Sequence, residues 1–209
     1  MRQSFIKFAL EKKVLRFGDF TTKAGRKSPY FFNLASFNDG DSLKRLGDYY
    51  AEKIIEENIE FDILFGPAYK GISLVGAIAI SLSNKGINKK FSSNRKEVKD
   101  HGEGGLIIGA PISGKILIID DVISAGTSIK ESFSLINSFN AEVVGILVSI
   151  DRKEKGSNKL SAIEEIYEKY QVPVSSIIDL NNIIDFLKKD AVNKKILDEM
   201  LGYREKYGV

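Results

Sequence analysis

Two adjacent acids, Asp120 and Asp121, close a four-residue apolar run in the segment ILIIDDVISAGTS (residues 116–128), and a Ser-Ala-Gly-Thr-Ser turn leads on into an amphipathic stretch. Amides at a helix N-terminus point outward unpaired and carry the positive end of the helix dipole, so such a turn is suited to a phosphate. Gly126 lets the main chain approach closely, and Thr127 and Ser128 add hydroxyl donors. Asp120 and Asp121 would repel that phosphate if they served it directly. They suit neutral hydroxyls or a hydrated Mg²⁺ beside it, and the combination describes a ribose 5-phosphate. Taken alone, the segment also reads as an acidic cap on a serine-rich turn, although adjacent acids ending a buried strand are costly without a ligand.

Cationic residues gather elsewhere. Arg95, Lys96, Lys99 and His101 fall within seven residues of a polar stretch, 95–105, whose Gly102, Gly104 and Gly105 suit a lid closing over a polyanion. A solvated charged loop is the commoner fate of such a run. Lys70, in GPAYKG (66–71), sits beside a helix start, a place that suits a diphosphate as well as an ordinary loop lysine. Lys23 follows the strand-like FTT, and Phe31 and Phe32 are adjacent aromatics, at least one of which a strand buries. Arg152 follows a strand ending at Ile150; its planar guanidinium can bind a carboxylate through two parallel hydrogen bonds, and alone it would be an unremarkable surface arginine. GAPISGK (109–115) has the spacing of a nucleotide-binding P-loop but lacks its context, since Ile116 replaces the metal-binding hydroxyl, Pro111 removes an amide and a strand follows where a helix is required.

The elements that must position these residues alternate. Helical spacing predicts a first helix behind Ser4 as its cap, helices over 41–58, 72–82 and 128–139, and three more in 160–209. Extended segments are predicted at 14–20, 61–65, 90–94, 106–109, 115–119, 141–150 and 174–178, with turn chemistry at 24–29 and loops at 66–71, 95–105 and 120–127. Buried strands alternating with helices predict an α/β fold whose site lies at the carboxyl ends of parallel strands. The 209 residues, 43% hydrophobic and 28% charged, make one ordinary domain, and Lys+Arg 31 against Asp+Glu 28 leaves a net charge of +3 that does not by itself imply nucleic acid. Zero Cys excludes disulfides and thiolate chemistry, and the lone His excludes multi-His metal sites. The longest apolar runs, seven and six residues, fall far short of the roughly 18 that span a bilayer, and the N-terminus lacks the pattern of a secretory signal, so a cytoplasmic location is expected.

The segment 116–128 resembles the phosphoribosyl diphosphate (PRPP) motif of type I phosphoribosyltransferases. FTTKAGRKSPYFFN (20–33), FGPAYKGI (65–72), NRKEVKDHGEGG (94–105) and SIDRKE (149–154) are similar to the bacterial orotate phosphoribosyltransferases, and the resemblance runs from the first helix to the terminal YREKYGV. It implies a mostly parallel twisted sheet flanked by helices, a small N-terminal cap formed by about residues 1–40 of a single domain spanning 1–209, and a flexible loop over the site. It implies transfer of the ribose 5-phosphate of PRPP to orotate with Mg²⁺, in a homodimer with shared sites and no nucleic-acid or membrane partner. Lys99 and Asp121 are then catalytic. PRPP is met by Lys23, Tyr69, Lys70, Arg95, Lys96, Lys99, His101, Asp120, Asp121 and the run Val122, Ile123, Ser124, Ala125, Gly126, Thr127 and Ser128. Orotate is met by Phe31, Phe32, Ser124 and Arg152. Ser124 stands where the family often has Thr, which keeps the hydroxyl and loses a methyl. A purine-base transferase would show the same PRPP motif, and so would a PRPP-sensing regulator that binds nucleic acid. Arg152 and the Phe31–Phe32 segment argue against the first, the small net charge and the Lys99 loop against the second.

Overall fold

The computed structural model describes residues 1–22, 25–99, 105–123, 127–156, 160–190 and 194–209, with the backbone alone at 98, 99, 127 and 190. In chain order the elements are α1 (Arg2–Glu11), β1 (Leu15–Thr21), β2 (Lys27–Phe32), a 3-10 turn (Leu34–Ser36), α2 (Gly40–Glu56), β3 (Ile63–Gly66), α3 (Lys70–Asn84), β4 (Lys90–Lys99), β5 (Gly105–Gly109), β6 (Lys115–Val122), α4 (Thr127–Ser138), β7 (Glu142–Asp151), α5 (Ala162–Tyr170), β8 (Val174–Asp179), α6 (Leu180–Asp190) and α7 (Lys194–Tyr207). β1 and β2 form a separate antiparallel hairpin, and the other six strands make one sheet in the order β5-β4-β3-β6-β7-β8, parallel throughout except for β5.

Strand alternation sorts the core into two layers. Leu64, Leu117, Ile119 and Leu147 point to one face and are covered by α1, α2, α3, α6, α7 and the β1–β2 hairpin, through residues such as Phe5, Tyr50, Leu74, Ile78 and Ile184. Ile63, Phe65, Ile116, Ile118, Ile146 and Val148 point to the other, under Ile129, Phe133 and Ile136 of α4 and Ile166 of α5. Burial on both faces explains why these strands read as unbroken apolar runs. The chain leaves β3 through α3 to β4 on one side and leaves β6 through α4 to β7 on the other, so the connections after β3 and β6 diverge and open a crevice at the carboxyl edge.

Four sequence expectations are corrected. Ser4 lies inside α1, its hydroxyl donating to the Met1 carbonyl at 2.6 Å, because the buried face of Phe5, Ile6, Phe8 and Ala9 sets the helix start without a side-chain cap. Pro29, read as part of a turn, lies within β2, where the register shift between Phe17 and Phe20 spares it from donating to the ladder. Arg95 to Lys99, read as loop, continue β4, paired with β5 as an edge hairpin; main-chain bonding there needs no apolar alternation. Asp120 and Asp121, read as the start of a loop, belong to β6, because pairing with β7 continues through Asp120–Val148 to Val122–Ile150.

Candidate active site

Asp120 and Asp121 sit at the carboxyl end of β6 and differ in surroundings. Asp120 is buried; its Oδ2 accepts from Ser128 Oγ at 2.8 Å, its Oδ1 from the Asp121 amide at 2.8 Å, and its carbonyl from Tyr50 Oη at 2.8 Å. Asp121 opens toward the crevice, where its Oδ2 lies 2.6 Å from Lys70 Nζ, while Oδ1 accepts from the Val122 amide at 2.8 Å and its carbonyl accepts from Ser149 Oγ of β7. Lys70 is the first residue of α3, so its ammonium is delivered across the crevice from the β3 side.

The β3–α3 connection explains the Gly-Pro-Ala-Tyr-Lys-Gly pattern. A Cβ on Gly66 would overlap the Gly71 backbone, and one on Gly71 would overlap Gly66, so the strand end and the first helical turn touch main chain to main chain. The Ala68 amide donates to Asn94 Oδ1 at 2.9 Å, tying this loop to β4; the Ala68–Tyr69 peptide is cis, and Tyr69 is 73% exposed. Asn94, Tyr50 and Ser149 were not singled out from the sequence. Periodicity marks Tyr50 only as part of an apolar helix face, and no pattern marks the bonds these three make, because each acts on a main-chain group of a distant element.

Burial and, after it, the neighbouring Asp121 charge push the Asp120 carboxyl up to about 6, against the opposing bonds from Ser128 and the Asp121 amide. The unfolded chain releases this proton near the ordinary value of 3.8 and the native state holds it to about 6, so stability falls as pH rises through that window and stays lower above it. Asp120→Asn keeps the shape and removes the charge, and it is expected to raise the ligand-free melting temperature by several degrees at pH 8, with the gain shrinking toward pH 4. Calorimetric scans at both pH values check this; an equal shift at each would show that the buried charge is not the cause.

The remaining expected residues divide. Arg95 Nη1 reaches across the hairpin to the carbonyls of Ile107 and Gly105 at 2.9 and 3.3 Å, and Lys96 Nζ lies 3.9 Å from Glu131 of α4. Val122 is half-buried and Ile123 is buried in the core. Phe32 is a core residue beside Phe5, whereas half-buried Phe31 stacks on Phe20 at 5.4 Å with Arg16 5.3 Å from its ring centroid. Arg152 stands one residue beyond β7, 4.3 Å from the Tyr30 ring centroid and bonded to Glu154. Lys23, His101, Ser124, Ala125 and Gly126 lie outside the described residues, as do the side chains of Lys99 and Thr127. The structure thus brings Lys70, Asp120, Asp121 and Ser128 into direct contact at the ends of β3 and β6, and places Arg152 beyond the adjacent strand.

Residues 34–173 match the Phosphoribosyl transferase domain family. Over 208 residues the chain is 51% identical to an orotate phosphoribosyltransferase of Thiobacillus denitrificans, covering 100% of this chain and 98% of that one. It is 52% identical, with the same coverage, to an orotate phosphoribosyltransferase of Neisseria meningitidis serogroup C. The crystal structure of an orotate phosphoribosyltransferase from Francisella tularensis superposes with a TM-score of 0.90 at 42% identity, over 99% of this chain and 100% of that chain. Full-length identity of this order, carried on the same sheet, helices and acid-bearing strand, makes the chain a member of the phosphoribosyltransferase family and, within it, of the orotate phosphoribosyltransferases.

Proposed function

We propose that the chain transfers the ribose 5-phosphate of PRPP to orotate, giving orotidine 5′-phosphate and diphosphate in pyrimidine biosynthesis. The observation that carries this reading is the meeting of Lys70 and Asp121 at 2.6 Å across the crevice, with Asp120 and Ser128 bonded behind them, at the edge where α4 begins. The C1–oxygen bond of PRPP breaks toward diphosphate through a cationic, oxocarbenium-like transition state, and the orotate ring nitrogen forms the new bond with the electron pair freed when its proton leaves. That nitrogen is acidic, so little general-base work is required.

The protein then neutralises charge and holds both reactants in line. Lys70, Arg95 and Lys99 face the departing diphosphate, with Lys23, Tyr69, Lys96 and His101 around it, and the turn from Val122 through Ser128 holds the 5-phosphate. Asp120 and Asp121 accept from the ribose hydroxyls. In the ligand-free protein Lys70 is paired to Asp121, so diphosphate takes over an ammonium already positioned. Two adjacent acids at a strand end, one buried and one facing the crevice, fit a magnesium ion carried by the diphosphate and water, which would supply further neutralisation of the leaving group. Orotate lies between Arg152, Ser124 and the segment of Phe31 and Phe32, with residues of about 1–40 as a hood in a single domain of 1–209.

We place the enzyme in the cytoplasm, where its phosphorylated substrate is retained, as a homodimer without nucleic-acid partners; Ile80 of α3 and Phe91 of β4, 64% and 43% exposed, supply apolar surface for the dimer. Among the described residues no helix is long and apolar enough to cross a membrane. The test is loss of orotate absorbance in the presence of PRPP and Mg²⁺, beside adenine, hypoxanthine and uracil. Turnover with orotate alone is expected, and preference for a purine would overturn the reading. Arg152→Ala is expected to raise the KM for orotate at least tenfold, as loss of a charge-assisted bond does, with the KM for PRPP nearly unchanged. Equal rises for both substrates would remove Arg152 from the carboxylate subsite.

A further inference from the structure

Arg152 is held in a buried cluster that determines which of its edges a ligand can use. Its Nε donates to Glu154 Oε1 at 2.7 Å, and its Nη2 lies 2.6 Å from the same oxygen. Nη2 also sits 3.3 Å from Ser28 Oγ and 3.4 Å from Tyr203 Oη, both long, and both hydroxyls donate elsewhere: Ser28 to the Tyr30 carbonyl at 2.7 Å and Tyr203 to Glu154 Oε1 at 2.7 Å. Nη1 donates to none of the described residues. The edge formed by Nε and Nη2 is therefore committed to Glu154, with the second Nη2 hydrogen held only by the two long contacts to Ser28 and Tyr203, so Nη1 and that weakly held hydrogen are what a planar carboxylate can take.

Glu154 is itself fixed from two directions. Tyr203 of α7 holds Oε1, and Arg26, just before β2, reaches Oε2 at 3.5 Å. Glu154 alone would cancel the charge of Arg152. With Arg26 in the cluster, two guanidinium groups against one carboxylate leave a net charge of +1, from side chains only 25%, 15% and 16% exposed for Arg26, Arg152 and Glu154. A buried net charge of that size favours one monoanionic ligand group and disfavours a neutral one.

We infer that Glu154 and Tyr203 are positioning residues for the base subsite, orienting Arg152 so that a pyrimidine bearing a carboxylate is selected. The inference rests on reading Arg152 as the carboxylate partner. The end of α7 does not depend on these side chains for its place, because main-chain bonds hold it: the Lys155 amide to the Tyr207 carbonyl at 2.8 Å and the Val209 amide to the Lys153 carbonyl at 3.0 Å. Arg26 Nη2 adds a bond to the Lys155 carbonyl at 2.7 Å. Removing one hydroxyl or one charge should therefore leave the scaffold standing.

Tyr203→Phe and Glu154→Gln, made in the full chain beside Arg152→Ala, test this by the KM for each substrate, kcat, melting temperature and inhibition by uracil, which has the ring without the carboxylate. For Tyr203→Phe the KM for orotate is expected to rise a few-fold. Glu154→Gln keeps an oxygen acceptor and leaves more positive charge, so a rise there of a few-fold is expected from lost orientation of Arg152 alone, against the attraction of the added charge. The KM for PRPP and inhibition by uracil should stay within about a factor of two of wild type, a spread that mere loosening of the fold would exceed for all ligands alike. Should Glu154→Gln fail to fold, Tyr203→Phe carries the test alone. Unchanged orotate KM in the folded variants, with the rise intact in Arg152→Ala, would overturn the positioning role and leave the Arg152 reading standing. Parallel losses for orotate, PRPP and uracil would overturn it in favour of a structural role, and an unchanged orotate KM in Arg152→Ala would overturn both readings together.

Discussion

Lys99→Ala is expected to lower turnover about a hundred- to a thousandfold while changing PRPP affinity far less, the typical cost of removing one preorganised group that stabilises charge only in the transition state. The reason lies in where the backbone puts it. Residue 99 is the last of β4, six positions beyond Ser93, where pairing with β3 ends opposite Gly66, and at about 3.3 Å per residue this is some 20 Å of strand projecting past the carboxyl edge. On the proposed assignment, an ammonium carried on that projection meets the leaving diphosphate only when hairpin and substrate come together, so its charge would act on the step and not on the resting complex. Lys70, already 2.6 Å from Asp121, is assigned to ground-state binding in the proposed reaction, and Lys70→Ala should raise the KM for PRPP more than it lowers kcat. Single-turnover kinetics with calorimetric PRPP binding separates the two lysines. Lys99→Ala turnover within a factor of about three of wild type would contradict the assignment, given that typical cost.

What could be read from the sequence, and what could not, follows the range of the interactions. The acids at 120 and 121 were legible because a run of four apolar residues fixes a strand and strand direction then puts its last residues at the ligand edge. Residues 66–71 were legible as a loop before a helix, and the backbone contact between strand end and helix start that Gly66 and Gly71 permit was not. The two strands at 90–94 and 106–109 were legible, whereas the continuation of β4 through Arg95 to Lys99 was not, since that stretch is polar apart from Val98 and its pairing with β5 rests on main-chain bonds. The network around Arg152 was hidden for another reason. Its partners Tyr203 and Ser28 lie 51 and 124 positions away, and neither carries a pattern beyond ordinary core or turn chemistry. Helix α1 shows the opposite limit: its periodicity was plain while its first residue was misplaced by a serine that bonds inside the helix.

Mixing two nearly inactive proteins, Lys99→Ala and Asp121→Ala, is expected to restore activity. β5 and β4 stand at one end of the sheet, β3 separates β4 from β6, and two strand spacings amount to about 10 Å. By register Ile118 lies opposite Phe65, so Asp121 stands only two positions beyond Gly66 along the strand direction, against six for residue 99. Along straight strands the two backbones are therefore roughly four residues apart in one direction and two strands apart in the other, some 16 Å, more than twice the reach of a lysine side chain. A projection that overshoots its own acids, with Val98 as the only apolar residue between 95 and 105 to anchor it, would in the proposed homodimer be available to the neighbouring subunit. If it does, each site combines the acids of one chain with the Lys99 of the other, and a hybrid dimer holds one site with both lesions and one with none. Half of the protomers in a statistical mixture belong to hybrids, and one site in each hybrid is intact, so about a quarter of wild-type activity per site should return, on the two-chain symmetry of such a dimer. If the hairpin serves its own chain, every site in the hybrid keeps one lesion and mixing restores nothing. That result, with hybrid formation confirmed by native mass spectrometry, would refute the shared site and leave the transferase assignment untouched.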